Sequence, residues 1–288
     1  MYKTISILFL LVWFHQNLRA SLADSLQSER MEEVEVKAYS PLTLSDDRNG
    51  RLYWNMESLA DIPHVLGSAD PLRSLQLLPG VATNNDYTSG IHIQGCAASQ
   101  SILNMDGTPI FNASHLLGLF SVFNASHFRG MSLVKNRHDA AFSNRLGGEV
   151  SFYPTDSIAH KVHRDATVSF MESEGTLTLP VGEHSTLYLS GRGSYLNLLY
   201  GNLLEIDEMK LRYGLQDYNL TFVQQAGAHD KIRLSLYHGQ DRMNLLQEDF
   251  ADENKLNWQN TAAALHWQHH SSRFILQQNA TFSRYCNT

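Results

Sequence analysis

Cysteine is nearly absent from this chain of 288 residues, where only Cys96 and Cys286 occur. They make no CxxC pair and no metal-type spacing, which excludes a disulfide scaffold or a thiolate metal centre as the organising feature. Spacing alone leaves open whether the two pair. Basic charge is also short. There are 22 Lys and Arg against 29 Asp and Glu, a formal net charge of -7, with no Lys/Arg run. That balance argues against a nucleic-acid partner. No segment stays apolar for the ~20 residues that a membrane-spanning helix needs. The longest apolar run, ISILFLLVWF at 5–14, is half that length, so any crossing of a membrane must be made by strands. HExxH, GxSxG and P-loop motifs are missing as well, and no catalytic residue, enzyme activity or cofactor is expected. The 14 histidines are scattered. His64, His92, His115 and His127 read as polar surface or lumen side chains, and no metal site is expected.

What is present begins with a targeting segment. Lys3 precedes the apolar run, and Ala20, Ser21 and Ala23 follow it, the pattern of a signal peptide over residues 1–20. Residues 21–50 read as a flexible leader. Within it, residues 31–38 alternate, with Val34, Val36 and Ala38 on one side and Glu33, Glu35 and Lys37 on the other. Such a strand is suited to joining another protein's sheet edge, or to opening the domain that follows.

The rest is organised around residues 70–111. Asp70 is placed to cap a helix, and Pro71 suits its first position. Leu72, Leu75 and Leu78 share one face, and Pro79-Gly80 ends the helix. The apolar spacing then drops to two at Ile91 and Ile93, and Ile102, Leu103 and Met105 run into an Asp106-Gly107 turn. A helical turn is expected near Met56–Leu59, and strands at 131–135 and 150–154. From about residue 165 alternation dominates: Leu177 and Leu179, Leu187 and Leu189, Leu220 and Phe222, Leu234 and Leu236, Ala263 and Leu265 all alternate with other, mostly polar, residues. Turns are expected at 173–175, 181–183, 227–230 and 269–272, and longer loops near 195–209 and 240–256. An antiparallel meander explains this pattern, as a soluble sandwich or as an outer-membrane barrel with its apolar rows toward lipid. Tyr195, Tyr200, Trp258 and Trp267 would suit an interfacial girdle.

One ordered series carries a resemblance. Asp70, Leu72, Leu75, Gln76, Leu78, Pro79, Gly80 and Val81, then Gly95, Gln100, Leu103, Asp106, Gly107, Pro109, Ile110 and Asn112, resemble the plug domain of TonB-dependent outer-membrane receptors of the Bacteroidetes type. The likeness covers about residues 55–155 and continues through SHLLGLFSVFN at 114–124. Gln94 and Cys96 stand where that family has Arg and the second Gly, so a role resting on that Arg is not carried over. The resemblance implies a mainly β fold with a small α/β plug at 51–155, followed at 156–288 by the antiparallel meander of an incomplete outer-membrane β-barrel. It implies that residues 31–38 are a TonB box, with Glu32, Glu33, Val34, Glu35, Val36 and Lys37 contacting TonB. Asn84, Asn85, Asp86, Tyr87, Asn112 and His115 would face the ligand. The implied function is uptake of a scarce small nutrient through the cell outer membrane, among its lipids, with energy transmitted through TonB.

Length limits that reading. After residue 155 there are 133 residues, enough for roughly six to eight strands of about 9–11 residues. A plugged transporter has about 22 strands. The chain is therefore expected to be the truncated N-terminal part of a receptor. The alternative is a non-transporting β-rich secreted or periplasmic binding module.

Overall fold

The computed structural model describes residues 45–46, 50–62, 69–83, 90–135, 145–203, 205–206, 209–247 and 253–288. The expected signal peptide and the 31–38 strand lie outside the described residues. Residues Ser40–Thr288 form one compact unit, built from an inner body and a wall of long strands.

The inner body contains β1 (Ser45–Asp46), β2 (Arg51–Asn55), a 3-10 turn (Met56–Asp61) and α1 (Pro71–Leu75). The short pair β3 (Val81–Ala82) and β4 (His92–Ile93) follows, then β5 (Ile102–Met105), β6 (Thr108–Pro109), β7 (Ser114–His115), β8 (Phe120–Ser121), β9 (Phe128–Val134) and β10 (Glu149–Pro154). Six of these strands make one sheet in the order β1-β2-β9-β10-β5-β6, with β10 parallel to β5 and antiparallel to β9.

Local chemistry accounts for the start of this body. Asp70 Oδ1 accepts from the backbone N–H groups of Leu72 (2.9 Å) and Arg73 (3.2 Å), which caps α1. Its second oxygen accepts from the Ser121 N–H at 2.6 Å, tying the helix start to β8. Leu72, Leu75 and Leu78 are buried, as their spacing predicts. The helix ends at Leu75 with Gln76 as its C-cap, earlier than the expected Pro79-Gly80 stop, and Gly80 at φ +78° sits in the turn before β3, a left-handed conformation that glycine adopts without strain. Asp106 (φ +50°) and Gly107 (φ +77°) turn β5 into β6, the two positive φ values that a tight hairpin turn of this kind demands. Alternate residues of the sheet, Trp54, Met131, Leu133, Val150 and Phe152, enter one apolar core. There Phe123 stacks on Phe152 with ring centroids 3.7 Å apart, a contact worth about 0.5–1.5 kcal/mol beyond the area it buries.

The wall is a meander of seven antiparallel strands. It comprises β11 (His163–Val168), β12 (Glu172–Pro180), β13 (Ser185–Ser194), β15 (Met209–Ala226), β16 (Asp230–Gln247), β17 (Glu253–His270) and β18 (Ile275–Asn287). A short α2 (Leu196–Tyr200) and β14 (Glu205–Ile206) sit between β13 and β15. The period of two sorts the side chains. Leu177, Leu189, Leu220, Leu236, Ala263 and Phe282 are cross-strand neighbours in one row on the outward face. Leu179, Leu187, Phe222, Leu234 and Leu265 make the next. On β15 the alternate set, Tyr213, Leu215, Asp217, Asn219, Thr221 and Val223, is buried.

Several expectations are corrected. Residues 173–175 form no turn; they lie inside β12, where Gly175 pairs with Ala166 on one side and Gly191 on the other. That glycine fits a ladder position between two neighbouring strands. The turn comes earlier, where the Ser169 N–H donates to the Glu172 carbonyl. The 240–256 loop is mostly strand, because β16 runs to Gln247 and β17 starts at Glu253. Alternation persists there with polar residues outward, Gln240 and Arg242, against buried Asp241 and Met243. Strands of 18 residues extend about 60 Å, twice the ~30 Å of bilayer hydrocarbon. Trp258 is no girdle residue: it is buried among Tyr213, Leu211 and Met243, and Tyr200 packs on the same cluster. Trp267 does face outward. Cys96 and Cys286 are both free thiols. Among the described residues no helix is long and apolar enough to cross a membrane.

Candidate functional site

A charged seam joins the inner body to the wall. His115, at the end of β7, is 1% exposed and touches two wall carboxylates. Its Nδ1 lies 2.7 Å from Asp241 Oδ2 on β16, and its Nε2 lies 2.9 Å from Asp217 Oδ2 on β15. Both ring nitrogens face acceptors, so the ring satisfies both only as an imidazolium. Burial alone would lower its pKa, but Asp217 and then Asp241 outweigh burial and push it up to about 9. Asp217 also accepts from Arg192 of β13 through Nε (2.9 Å) and Nη2 (2.6 Å), and from Tyr237 Oη at 2.8 Å. Arg192 Nη2 reaches back to the Ser121 carbonyl at 2.6 Å. Next to His115, Leu116 takes a left-handed φ of +47°, and its N–H donates to Tyr213 Oη.

A second anchor sits at the β5–β6 turn. Asp106 takes two hydrogen bonds from Arg233, Nη2 at 2.5 Å and Nε at 3.1 Å, and one from Ser235 Oγ at 2.5 Å. His266 Nε2 lies 3.2 Å from Asp106 Oδ1. Burial would raise the Asp106 pKa, but the contacts with His266 and Arg233 hold it below the usual carboxylate range. His127 pairs through Nε2 with Thr221 Oγ1 at 3.0 Å, and burial, against a weak pull from Asp106, drops its pKa to about 4. It is therefore neutral at pH 7.

Beside the seam the inner body holds a cavity of about 370 Å³. Leu72, Ile91, Leu103 and Ile110 supply apolar lining, and Phe111, Asn112, Ser101 and Arg145 bring an aromatic ring and polar groups. This size and composition suit a small ligand. Among the described residues no His/Cys/Asp/Glu group is arranged to hold a metal ion.

The sequence-predicted residues fall in different places. Glu32, Glu33, Val34, Glu35, Val36 and Lys37 lie outside the described residues, as do Asn84, Asn85, Asp86 and Tyr87. Asn112, at φ +48°, lines the cavity, and its carbonyl accepts from Asn260 Nδ2 at 3.3 Å. His115 does not line the cavity; Asp217 and Asp241 enclose it. His127 is likewise buried rather than solvated. Sequence reasoning passed over Asp217, Asp241, Arg192, Arg233 and Arg145. The four wall residues occupy inward positions of alternating strands, and a charge at such a position was the available signal.

No protein-family model and no curated protein sequence matches the chain. Solved structures do. The outer membrane transporter YddB from Escherichia coli superposes with a TM-score of 0.62 at 14% identity, over 85% of this chain and 40% of that one. A mutant (G324V) of the ferric enterobactin receptor PfeA from Pseudomonas aeruginosa gives 0.60 at 12%, over 83% and 41%. The siderophore receptor PirA from Acinetobacter baumannii gives 0.59 at 14%, over 83% and 40%. The chain thus spans about 40% of the length of these structures. At such identities the likeness is one of fold alone, and the fold is shared with part of these outer-membrane transporter and receptor structures.

Proposed function

We propose that this chain is the plug (51–155) and the first wall strands (156–288) of an outer-membrane receptor that binds a scarce small nutrient and imports it with energy transmitted through TonB. The observation that carries this reading is the seam: an inner body held by His115 and Asp106 against the buried face of a meander whose opposite face carries apolar rows. A folded body fixed inside a wall blocks passage. Uptake therefore requires work to move it, and ligand binding alone supplies none in the uphill direction. Glu32, Glu33, Val34, Glu35, Val36 and Lys37 are the proposed grip for TonB, since a short alternating strand adds to a sheet edge through backbone hydrogen bonds. The cavity beside Asn112 is the proposed ligand site, with Asn84, Asn85, Asp86 and Tyr87 as proposed neighbours, and a signal peptide at 1–20 is the proposed route to the outer membrane.

The test is uptake by cells making the full receptor, with and without residues 31–38. Loss of accumulation with ligand binding retained supports the reading, whereas unchanged accumulation refutes it.

A further inference from the structure

The cavity beside Asn112 is sided. Its floor is apolar, from Leu72, Leu103 and Ile110, and among the described residues no acidic side chain lines it. One polar group in its lining is underused. Arg145 gives one hydrogen bond, from Nη1 to the Ser99 carbonyl at 3.0 Å, and makes no ion pair among the described residues. A guanidinium retains several donors in a planar fork that matches a carboxylate. Phe111, 42% exposed, adds an aromatic surface.

We infer that this cavity takes a small amphipathic carboxylate, its acid group on Arg145 and its apolar body against Leu72, Leu103, Ile110 and Phe111. The inference rests on the cavity being the ligand site of the proposed receptor. It adds the charge of the cargo, which a purely apolar cavity would leave unselected. Arg145 sets selectivity by adding a charge-assisted bond that a neutral analogue lacks.

The experiment is calorimetric titration of the full chain in detergent with three probes of one shape: 4-phenylbutyrate, 4-phenylbutyramide and 4-phenylbutylammonium. The wild-type chain should bind the carboxylate roughly tenfold or more tightly than the amide, and the ammonium least. Arg145→Gln should bring carboxylate and amide together, and Arg145→Lys should keep part of the preference. Ala98→Trp, which fills the cavity from an exposed position, should abolish all three and controls for uptake into the micelle. Equal binding of carboxylate and amide by the wild type, lost in Ala98→Trp, overturns the carboxylate inference and leaves the cavity reading standing. Binding that survives Ala98→Trp, or no binding of any probe, overturns both.

Discussion

His115 Nε2 and Asp217 Oδ2 lie 2.9 Å apart, and both side chains are shut away from solvent. The pair connects β7 of the inner body to β15 of the wall, 102 residues away in sequence. Asp241 flanks the other ring nitrogen and Arg192 flanks Asp217, so the ring is held as a cation between anions. This seam decides how firmly the inner body is held.

Replacing His115 by Gln removes the cation and leaves two buried carboxylates facing each other's field. Breaking a buried pair from one side costs about 3–5 kcal/mol. Denaturant unfolding of the chain in detergent should show that loss. A double-mutant cycle with Asp241→Asn should show strong coupling, because the second change relieves the charge stranded by the first.

Stability should peak near pH 6.5. The folded pKa of His115 is raised to about 9, so its contribution is complete below the unfolded value of about 6.5 and fades as pH rises toward 9. The folded pKa of His127 is lowered to about 4, so the neutral ring that burial requires is available above 6.5, and stability falls as pH drops toward 4. His115→Gln should flatten the alkaline limb of the stability profile. A variant with the alkaline limb unchanged would remove His115 from this account.

Gly239 is a tight point of the wall. A Cβ added there would collide with Tyr237 Oη and come within 2.7 Å of Asp217 Oδ1, in the middle of the hydrogen bond that these two share. Gly239→Ala should cost about 1–3 kcal/mol as overpacking. It should also release the inner body to limited proteolysis at lower denaturant concentration than the wild type.

Asp106 has two duties that substitution separates. Asn tolerates the left-handed backbone at that position, so Asp106→Asn should keep the β5–β6 turn while weakening the hold on Arg233 and Ser235. The expected loss is about 1–3 kcal/mol, and Arg233→Gln added to it should cost little more. Hydrogen exchange at Thr108 and neighbouring amides reads whether the turn itself survives.

Much of the fold is legible in particular residues. Asp70 and Pro71 mark the start of a short helical segment, whereas Pro79-Gly80 misled as its stop, since the helix already ends at Leu75; each of the first two meets a backbone requirement that few other residues meet. The Asp106-Gly107 pair marks a turn for the same reason, and Leu187, Leu189, Leu220 and Phe222 fall on one face because a strand's period is two. Ser173–Gly175 misled because a glycine that pairs within a strand looks, in sequence, like one that turns. The 240–256 segment misled because strand pairing continues where the outward side chains become polar, and hydropathy alone marks that change as a loop.

The sequence by itself determined most of the wall strands, where the first helix starts, and which face of those strands is apolar, since these follow from local backbone chemistry and a period of two. Only the tertiary structure decided that His115 sits between Asp217 and Asp241, that Arg233 holds Asp106, and that Arg145 and Ser101 line the same cavity. Those meetings depend on register, on the curvature of the wall and on how the inner body docks against it. A charge at an inward position announces that it needs a partner, and the folded chain alone supplies which one.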